Sequence, residues 1–272
     1  MSFQTVFFPL WMGAGKQTSV PHGARILREE LGGDALEITV SETANLEAMN
    51  GIKARAELLE AFREAQTQLS KLDRVVLLGG DCSSDFALLA HNNARYAPDL
   101  AVVWLDTHAD LNTPQSSPSA HFHGQVLRAL LGDTDADFLE LLPRPLEPRQ
   151  IFFGGVREYD TPELEYVQRH GIPVLSPEVM RDDPRSLAGA VKDAGFTRIH
   201  VHLDLDVLDA RGFTSTGFPS EGGLFSRELE AVIEGLRTDF EIVSFAVTEY
   251  APRNPADLKT LARFIEALRG ER

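Results

Sequence analysis

Only one of the 272 residues is a cysteine. Cys82 has no partner for an internal disulfide, so a reducing, cytoplasmic setting is the expectation. Basic residues are few beside acidic ones, 26 against 41, for a formal charge of −15. That balance argues against nucleic acid and anionic membrane as partners. No apolar run approaches the length of a membrane span. Residues Met1 to Val6 carry neither a basic nor a long apolar segment, so no signal peptide is expected. Low-complexity stretches, internal repeats and obvious linkers are absent too. Residues 1–272 therefore read as one domain with a substantial core.

What is present is an alternation of short apolar runs and helical stretches. Val6 to Phe8, Arg74 to Leu78, Ile151 to Arg157, Ile172 to Leu175 and Glu241 to Thr248 read as strands. So do the longer runs that start at Val102 and at Arg198. Helical patterns start near Pro21 and run from Asn45 to Leu72, Asp85 to Ala94, Pro184 to Ala194, Ser226 to Leu236 and Asn254 to Leu268. This order predicts an α/β fold whose mainly parallel sheet is covered on both faces.

Chemistry gathers where the strands end. Val102-Val103-Trp104-Leu105 runs into Asp106-Thr107-His108-Ala109-Asp110. If the extended backbone continued, Asp106, His108 and Asp110 would share a face. Two carboxylates and an imidazole crowded there call for a shared cation; an idle, solvated strand end is the alternative. A second run, Arg198 to Asp209, puts Ile199, Val201, Leu203 and Leu205 on one face and His200, His202, Asp204 and Asp206 on the other. Like charges stacked on a covered strand destabilise a fold unless compensated. Gly79-Gly80-Asp81-Cys82 ends another strand in a tight turn, at the edge where open α/β sheets bind ligands. Cys82 alone would also suit a small buried hydrophobe. Glu249 ends the last strand, with no basic partner evident nearby in sequence.

The polar loop from Leu111 to Gly124, with Asn112, Ser119, His121 and His123, has the small side chains that hold polar substrates. Asp160 and Glu163 open a helix, where acids are also ordinary first-turn residues.

Gly79-Gly80-Asp81, Asp106-x-His108-x-Asp110, Asp204-x-Asp206 and Glu249 resemble, in order and spacing, the signatures of the arginase (ureohydrolase) superfamily. The resemblance spans nearly the whole chain. It implies a three-layer α/β/α domain with a mainly parallel, eight-stranded sheet, and two divalent ions, manganese in the family, at its carboxyl edge. Carried over by position, Asp106 and Asp204 bridge both ions; Cys82 and Asp110 complete one site, His108 and Asp206 the other. Two cations a few ångströms apart can ionise a bridging water, which attacks a guanidinium or amidine carbon. Asp110 would orient that nucleophile, Glu249 would pair with the planar cation, and His123 would pass a proton to the leaving amine. Asn112 and Ser119 match the loop that holds an amino-acid carboxylate, and Asp160 and Glu163 the acids that meet its α-amino group.

Three positions depart from the family pattern. Cys82 replaces a histidine ligand, and a thiolate there would favour zinc or iron over manganese. His121 replaces an asparagine at the substrate carboxylate. Phe218 replaces a threonine beside the guanidinium. The implied activity is hydrolysis of a linear C–N bond in a small guanidino or amidino compound, arginine to ornithine and urea first. The alternatives are agmatinase, guanidinobutyrase or formiminoglutamase activity, or a weak or inactive member with a structural or ligand-sensing role. Family members commonly form homo-oligomers, trimers or hexamers.

Overall fold

Eight strands lie in chain order: β1 (Gln4–Phe8), β2 (Leu36–Glu37), β3 (Val75–Gly79), β4 (Ala101–Leu105), β5 (Ile151–Gly154), β6 (Val174–Leu175), β7 (Arg198–Asp204) and β8 (Glu241–Thr248). They form one sheet in the order β2-β1-β3-β8-β7-β4-β5-β6, every pair parallel. The computed structural model describes residues 2–15 and 19–270. Met1, residues 16–18 and residues 271–272 of the expected domain lie outside the described residues.

Between the strands run α1 (Ser19–Leu31), α2 (Arg55–Leu69), α3 (Phe86–Tyr96), α4 (Val126–Leu130), α5 (Ala136–Leu139), α6 (Thr161–His170), α7 (Pro177–Asp182), α8 (Ser186–Asp193), α9 (Ser226–Asp239) and α10 (Pro255–Arg269). Apolar residues of α2 to α6 pack on one face of the sheet. Those of α1 and α7 to α10 pack on the other. The result is the three-layer α/β/α arrangement. Because both faces are covered, β3 and β4 are buried along their whole length, as their unbroken apolar runs require. No helix among the described residues is long and apolar enough to cross a membrane.

One packing cluster sets the position of the polar loop. Phe122 is fully buried between His121 and His123 in the sequence. Its ring stacks on Phe138 at 4.7 Å and lies 5.6 Å from Phe62, which stacks in turn on Phe86 at 4.7 Å. Such aromatic contacts add roughly 0.5–1.5 kcal/mol each beyond area burial. The loop is therefore pinned to α2 and α3, with a histidine on either side of the pin.

Several boundaries differ from the sequence expectation. The helix expected from Asn45 begins only at Arg55. Asn50 and Ala54 are left-handed, at φ 53° and 50°, and Met49 and Ile52 exchange backbone hydrogen bonds of 2.9 and 3.0 Å. This closed loop overrides the helical propensity of its residues. The run expected to reach Arg157 stops at Gly154, because Gly155 has φ +93°. β2 is a two-residue edge strand, too short to leave a pattern in the sequence.

Candidate active site

Four neighbouring strands, β3, β8, β7 and β4, end side by side at the carboxyl edge of the sheet. Cys82 opens the 3-10 turn Cys82–Asp85 after β3. Glu249 follows β8, Asp204 is the last residue of β7, and Asp106 follows β4. Gly80 is required in the turn before Cys82, because a Cβ there would collide with the Leu10 carbonyl oxygen.

The backbone does not stay extended through either acidic motif, contrary to expectation. Asp106 Oδ1 accepts a hydrogen bond from the His108 amide at 2.7 Å, and Asp204 Oδ1 accepts one from the Asp206 amide at 2.8 Å. Each aspartate thus competes with the sheet for the next amides and ends its own strand. After Asp204 the chain enters the 3-10 turn Leu205–Val207, so Asp206 is not on the strand at all. Asp110 is left-handed at φ 52°. The two turns are tied together: the Thr107 amide donates to Asp206 Oδ1 at 3.0 Å and its hydroxyl to the Asp206 carbonyl at 2.7 Å.

The side chains converge all the same. His108 Nδ1 lies 3.0 Å from Asp206 Oδ2 and 3.5 Å from Asp106 Oδ1. Cys82 Sγ lies 3.1 Å from Asp204 Oδ2. Three sets of possible ligand atoms each fall within 4.8 Å of one another: Asp106, His108 and Asp206; Cys82, Asp204 and Glu249; Cys82, Asp106 and His202. Asp110 Oδ2 and both carboxylate oxygens of Glu249 are buried with no hydrogen-bond partner among the described residues.

Without a cation this arrangement carries too much negative charge. Burial and the Asp206 charge push the Asp106 carboxyl up to about 7. The same two causes raise Glu249 to about 8. Burial and neighbouring carboxylates lift Asp110 and Asp204 well above the ordinary range. Burial alone would lower the His108 imidazole, but Asp106 and Asp206 hold it above its usual value. Buried, unpartnered carboxylate oxygens facing an imidazole and a thiol make a donor set that fits divalent cations.

Above these groups opens a cavity of about 250 Å³. It is lined by Cys82, His108, Asp110 and Asp204 at its base, and by Asn112, Ser119, His121, His123, Asp160, Glu163 and Phe218 around it. Asp106, Asp206 and Glu249 are buried beneath. Every site residue expected from sequence therefore lies in or under one cavity.

His123 Nδ1 is 3.7 Å from Glu249 Oε1, and its ring stacks on Phe218 at 5.6 Å. Burial lowers the His123 imidazole, which suits a group that gives up a proton easily. Glu249 and Ala120 are left-handed, at φ 61° and 58°. Non-glycine residues held there cluster at functional sites.

The two acids expected to meet an amino group are already engaged. Glu163 accepts from the Leu111 amide through Oε1 and from the Asp160 amide through Oε2, both at 2.8 Å. Asp160 Oδ2 accepts from Asn112 Nδ2 at 2.8 Å. They cap α6 and tie it to the polar loop.

Some residues of the site left no usable signal in the sequence. Lys53 Nζ lies 3.3 Å from His121 Nε2, and the Lys53 amide donates to the Ala120 carbonyl at 2.9 Å. Burial, then Lys53, pushes the His121 imidazole down to about 4. Lys53 comes from the closed loop before α2, far from the motifs in sequence. Asp81 holds the first loop, accepting from the Ala14 amide through Oδ2 at 2.9 Å and from the Ser83 amide through Oδ1 at 2.9 Å. The Gly13 carbonyl takes the His123 amide at 3.3 Å. Beneath the site, Asp85 Oδ2 meets His200 Nε2 at 2.7 Å and His202 Nδ1 at 2.9 Å. Burial alone would raise the Asp85 carboxyl, but the two imidazoles hold it at about 2.

The arginase-family model matches residues 16–267. An arginase of Staphylococcus aureus (strain MRSA252) is 28% identical over 212 residues, covering 75% of this chain and 70% of that protein. An arginase of Coccidioides posadasii (strain C735) is 32% identical over 193 residues, covering 65% of this chain and 59% of its own length. The crystal structure of Entamoeba histolytica arginase in complex with L-ornithine superimposes with a TM-score of 0.88 at 22% identity, covering 99% of this chain and 100% of that one. At that identity the agreement is one of fold.

Proposed function

This chain belongs to the arginase family, and on that premise we propose that it hydrolyses a linear amidine C–N bond with two divalent cations held at the carboxyl edge of the sheet. One observation carries the reading: five carboxylates, of Asp106, Asp110, Asp204, Asp206 and Glu249, are buried at one strand edge, and four of their oxygens lack any hydrogen-bond partner among the described residues. Manganese is the proposed metal, although Cys82 makes one position softer. Asp106 and Asp204 would be shared between the ions, His108 and Asp206 would complete one position, and Cys82 and Asp110 the other.

What the cations supply is Lewis acidity, enough to make water nucleophilic at neutral pH. The protein's own groups do the rest. Asp110 orients the attacking water through its free Oδ2 and receives its proton. Glu249 pairs with the planar guanidinium as its carbon turns tetrahedral, and its buried, unpartnered oxygens gain a partner in the substrate. His123 protonates the departing amine nitrogen as the C–N bond breaks. Phe218 covers the outer face of that imidazole and limits its contact with water. For arginine the products are ornithine and urea.

A second substrate reading rests on the cavity mouth. Lys53 adds a positive charge beside the neutral His121 imidazole, on the side where the polar loop offers hydroxyls and amides, whereas Asp160 and Glu163 are spent on capping. That balance favours substrates with a far carboxylate and relaxes the need for an α-amino group. Guanidinobutyrate or formiminoglutamate then compete with arginine, and agmatine, which has no carboxylate, falls behind. A cytoplasmic homo-oligomer, trimer or hexamer, is the accompanying proposal, carried over from the family and from the lone buried cysteine.

The test is release of urea or ammonia from a panel of guanidino and amidino compounds by metal-loaded protein. Release is expected from carboxylate-bearing members first. Protein that binds metal yet cleaves none of them overturns the enzymatic reading in favour of a ligand-sensing or structural role.

A further inference from the structure

Replacing a histidine ligand by Cys82 leaves one metal position without an imidazole. A second imidazole is nevertheless present. His202 lies on β7 two residues before Asp204, fully buried, at the level where the strand approaches the turn of Cys82. A ring nitrogen of His202, Cys82 Sγ and a carboxylate oxygen of Asp106 fall within 4.8 Å of one another. That span is what donors roughly 2.0–2.3 Å from a common ion require.

The ring is built for the task. Its Nδ1 lies 2.9 Å from Asp85 Oδ2, which assigns the N–H to that side. Nε2 keeps its lone pair, with the Thr248 hydroxyl at 3.4 Å. The same hydroxyl lies 3.7 Å from Cys82 Sγ, so Nε2 and the thiol share one neighbourhood. Trp104 stacks flat on the imidazole, centroids 3.5 Å apart and planes 4° off parallel, and fixes the ring plane. The Trp104 indole also donates to Asp106 Oδ2 at 3.0 Å. His108 follows the same plan with the nitrogens exchanged: Nδ1 faces Asp206 and Asp106, and Nε2 lies 3.6 Å from the Glu158 carboxylate behind it. An imidazole with a carboxylate behind it and a free nitrogen in front is the usual form of a metal-ligating histidine.

We propose that His202 is the second imidazole of the metal centre, holding one ion through Nε2 together with Cys82, Asp106 and Asp204. The imidazole then comes from β7, two places along the sheet from β3, and the cysteine fills the position in the turn after β3 as a thiolate. The two positions then differ in kind. One, with His108 and Asp206, is an oxygen-rich site with a single nitrogen. The other has a sulfur and a nitrogen donor and prefers zinc or cobalt to manganese. Asp85 is a positioning residue for it. The inference rests on the two-metal reading above, and the first measurement below tests that reading separately.

Metal-free full-length protein is titrated with zinc while the ring nitrogens are followed by NMR in protein labelled with 15N-histidine. Failure to bind any metal overturns the two-metal reading and this inference with it. If metal binds, the Nε2 signal of His202 is expected to move from the position of a free lone pair to that of a coordinated nitrogen, while Nδ1 keeps its proton. An Nε2 signal that stays put in zinc-saturated protein overturns the inference alone. His202→Ser should weaken the softer position by about 10–100-fold or more, the range seen when metal shells are disturbed. Adding Cys82→His to His202→Ser should return the affinity, since it restores an imidazole from the other side. No loss in the folded single variant, or no recovery in the double variant, also counts against it. Should His202→Ser fail to fold, Asp85→Asn keeps the ring and alters the acceptor that it shares with His200. It is then expected to shift the Nδ1 signal and reduce zinc affinity without changing stoichiometry.

Discussion

At the scale of single residues, Glu249 separates substrate from scaffold most cleanly. Its carboxylate is fully buried, has no hydrogen-bond partner among the described residues and sits in a left-handed backbone. Its one ion-pair contact among the described residues is with His123 Nδ1, 3.7 Å from Oε1, itself a residue of the cavity. Glu249→Gln should therefore keep bound metal and a wild-type melting temperature, and removal of a charge that meets the substrate should lower kcat/KM by about 100-fold or more, some 2.7 kcal/mol. A variant that unfolds or sheds its metal would make Glu249 structural. On the proposed substrate reading, Lys53 would contribute in the opposite way, through binding alone. For a guanidino acid, Lys53→Ala should raise KM about tenfold, roughly 1.4 kcal/mol, with kcat nearly unchanged. Its KM for agmatine should not move, and steady-state kinetics on the two compounds decide the matter.

At the scale of elements, an aspartate at the end of a strand does two jobs. Asp106 and Asp204 each turn one oxygen back to the chain and so stop the sheet. Each remains close enough to its neighbours to share a cation. Asp204→Asn should consequently cost bound metal, read by elemental analysis, and lower the melting temperature of protein purified with metal, because ligand held only by the folded state stabilises it. Unchanged stoichiometry would remove Asp204 from the centre. These strand ends were legible in the sequence because like charges paired at the end of a covered apolar run need a compensating partner. Their conformation was not legible. Alternation along an extended strand put Asp206 on the same face as Asp204, and the side chain to amide bond that breaks the strand appears only in three dimensions. His202 was visible as a neighbour of Asp204, but its partner Asp85 comes from another turn. Lys53 was hidden further, in a loop whose composition resembles a helix and whose left-handed residues, Asn50 and Ala54, carry no marker such as glycine. The layered fold, by contrast, follows from the order of apolar runs alone.

For the whole molecule, the buried acids make stability depend on metal and pH together. In metal-free protein, Asp106 keeps its proton to about 7 and Glu249 to about 8. In the unfolded chain a carboxyl titrates near about 4. Between those values the folded state binds more protons than the unfolded one, so stability present in acid is lost as pH rises through the window. The melting temperature of chelator-treated protein is expected to fall from about pH 5 to about pH 8. With saturating divalent metal the slope should reverse, because ligands must be deprotonated to bind. A metal-free protein that grows steadily more stable up to about pH 8 would mean these acids are not buried as described.

The place of β8 in the sheet reaches beyond chemistry to the order of assembly. It is the eighth strand along the chain, yet it lies between β3 and β7 near the middle of the sheet. During synthesis β3 ends at Gly79 and β7 at Asp204, so both can emerge before β8 begins at Glu241 and present open, apolar edges to other chains. Only when β8 slides between them do the turns that carry Cys82, Asp204 and Glu249 meet. Pairings between segments so distant in sequence form slowly. Asp106, His108 and Asp206 come from the neighbouring β4 and β7, so on the two-metal proposal their position can form first, and the one that Cys82 shares with Asp204 must wait for β8.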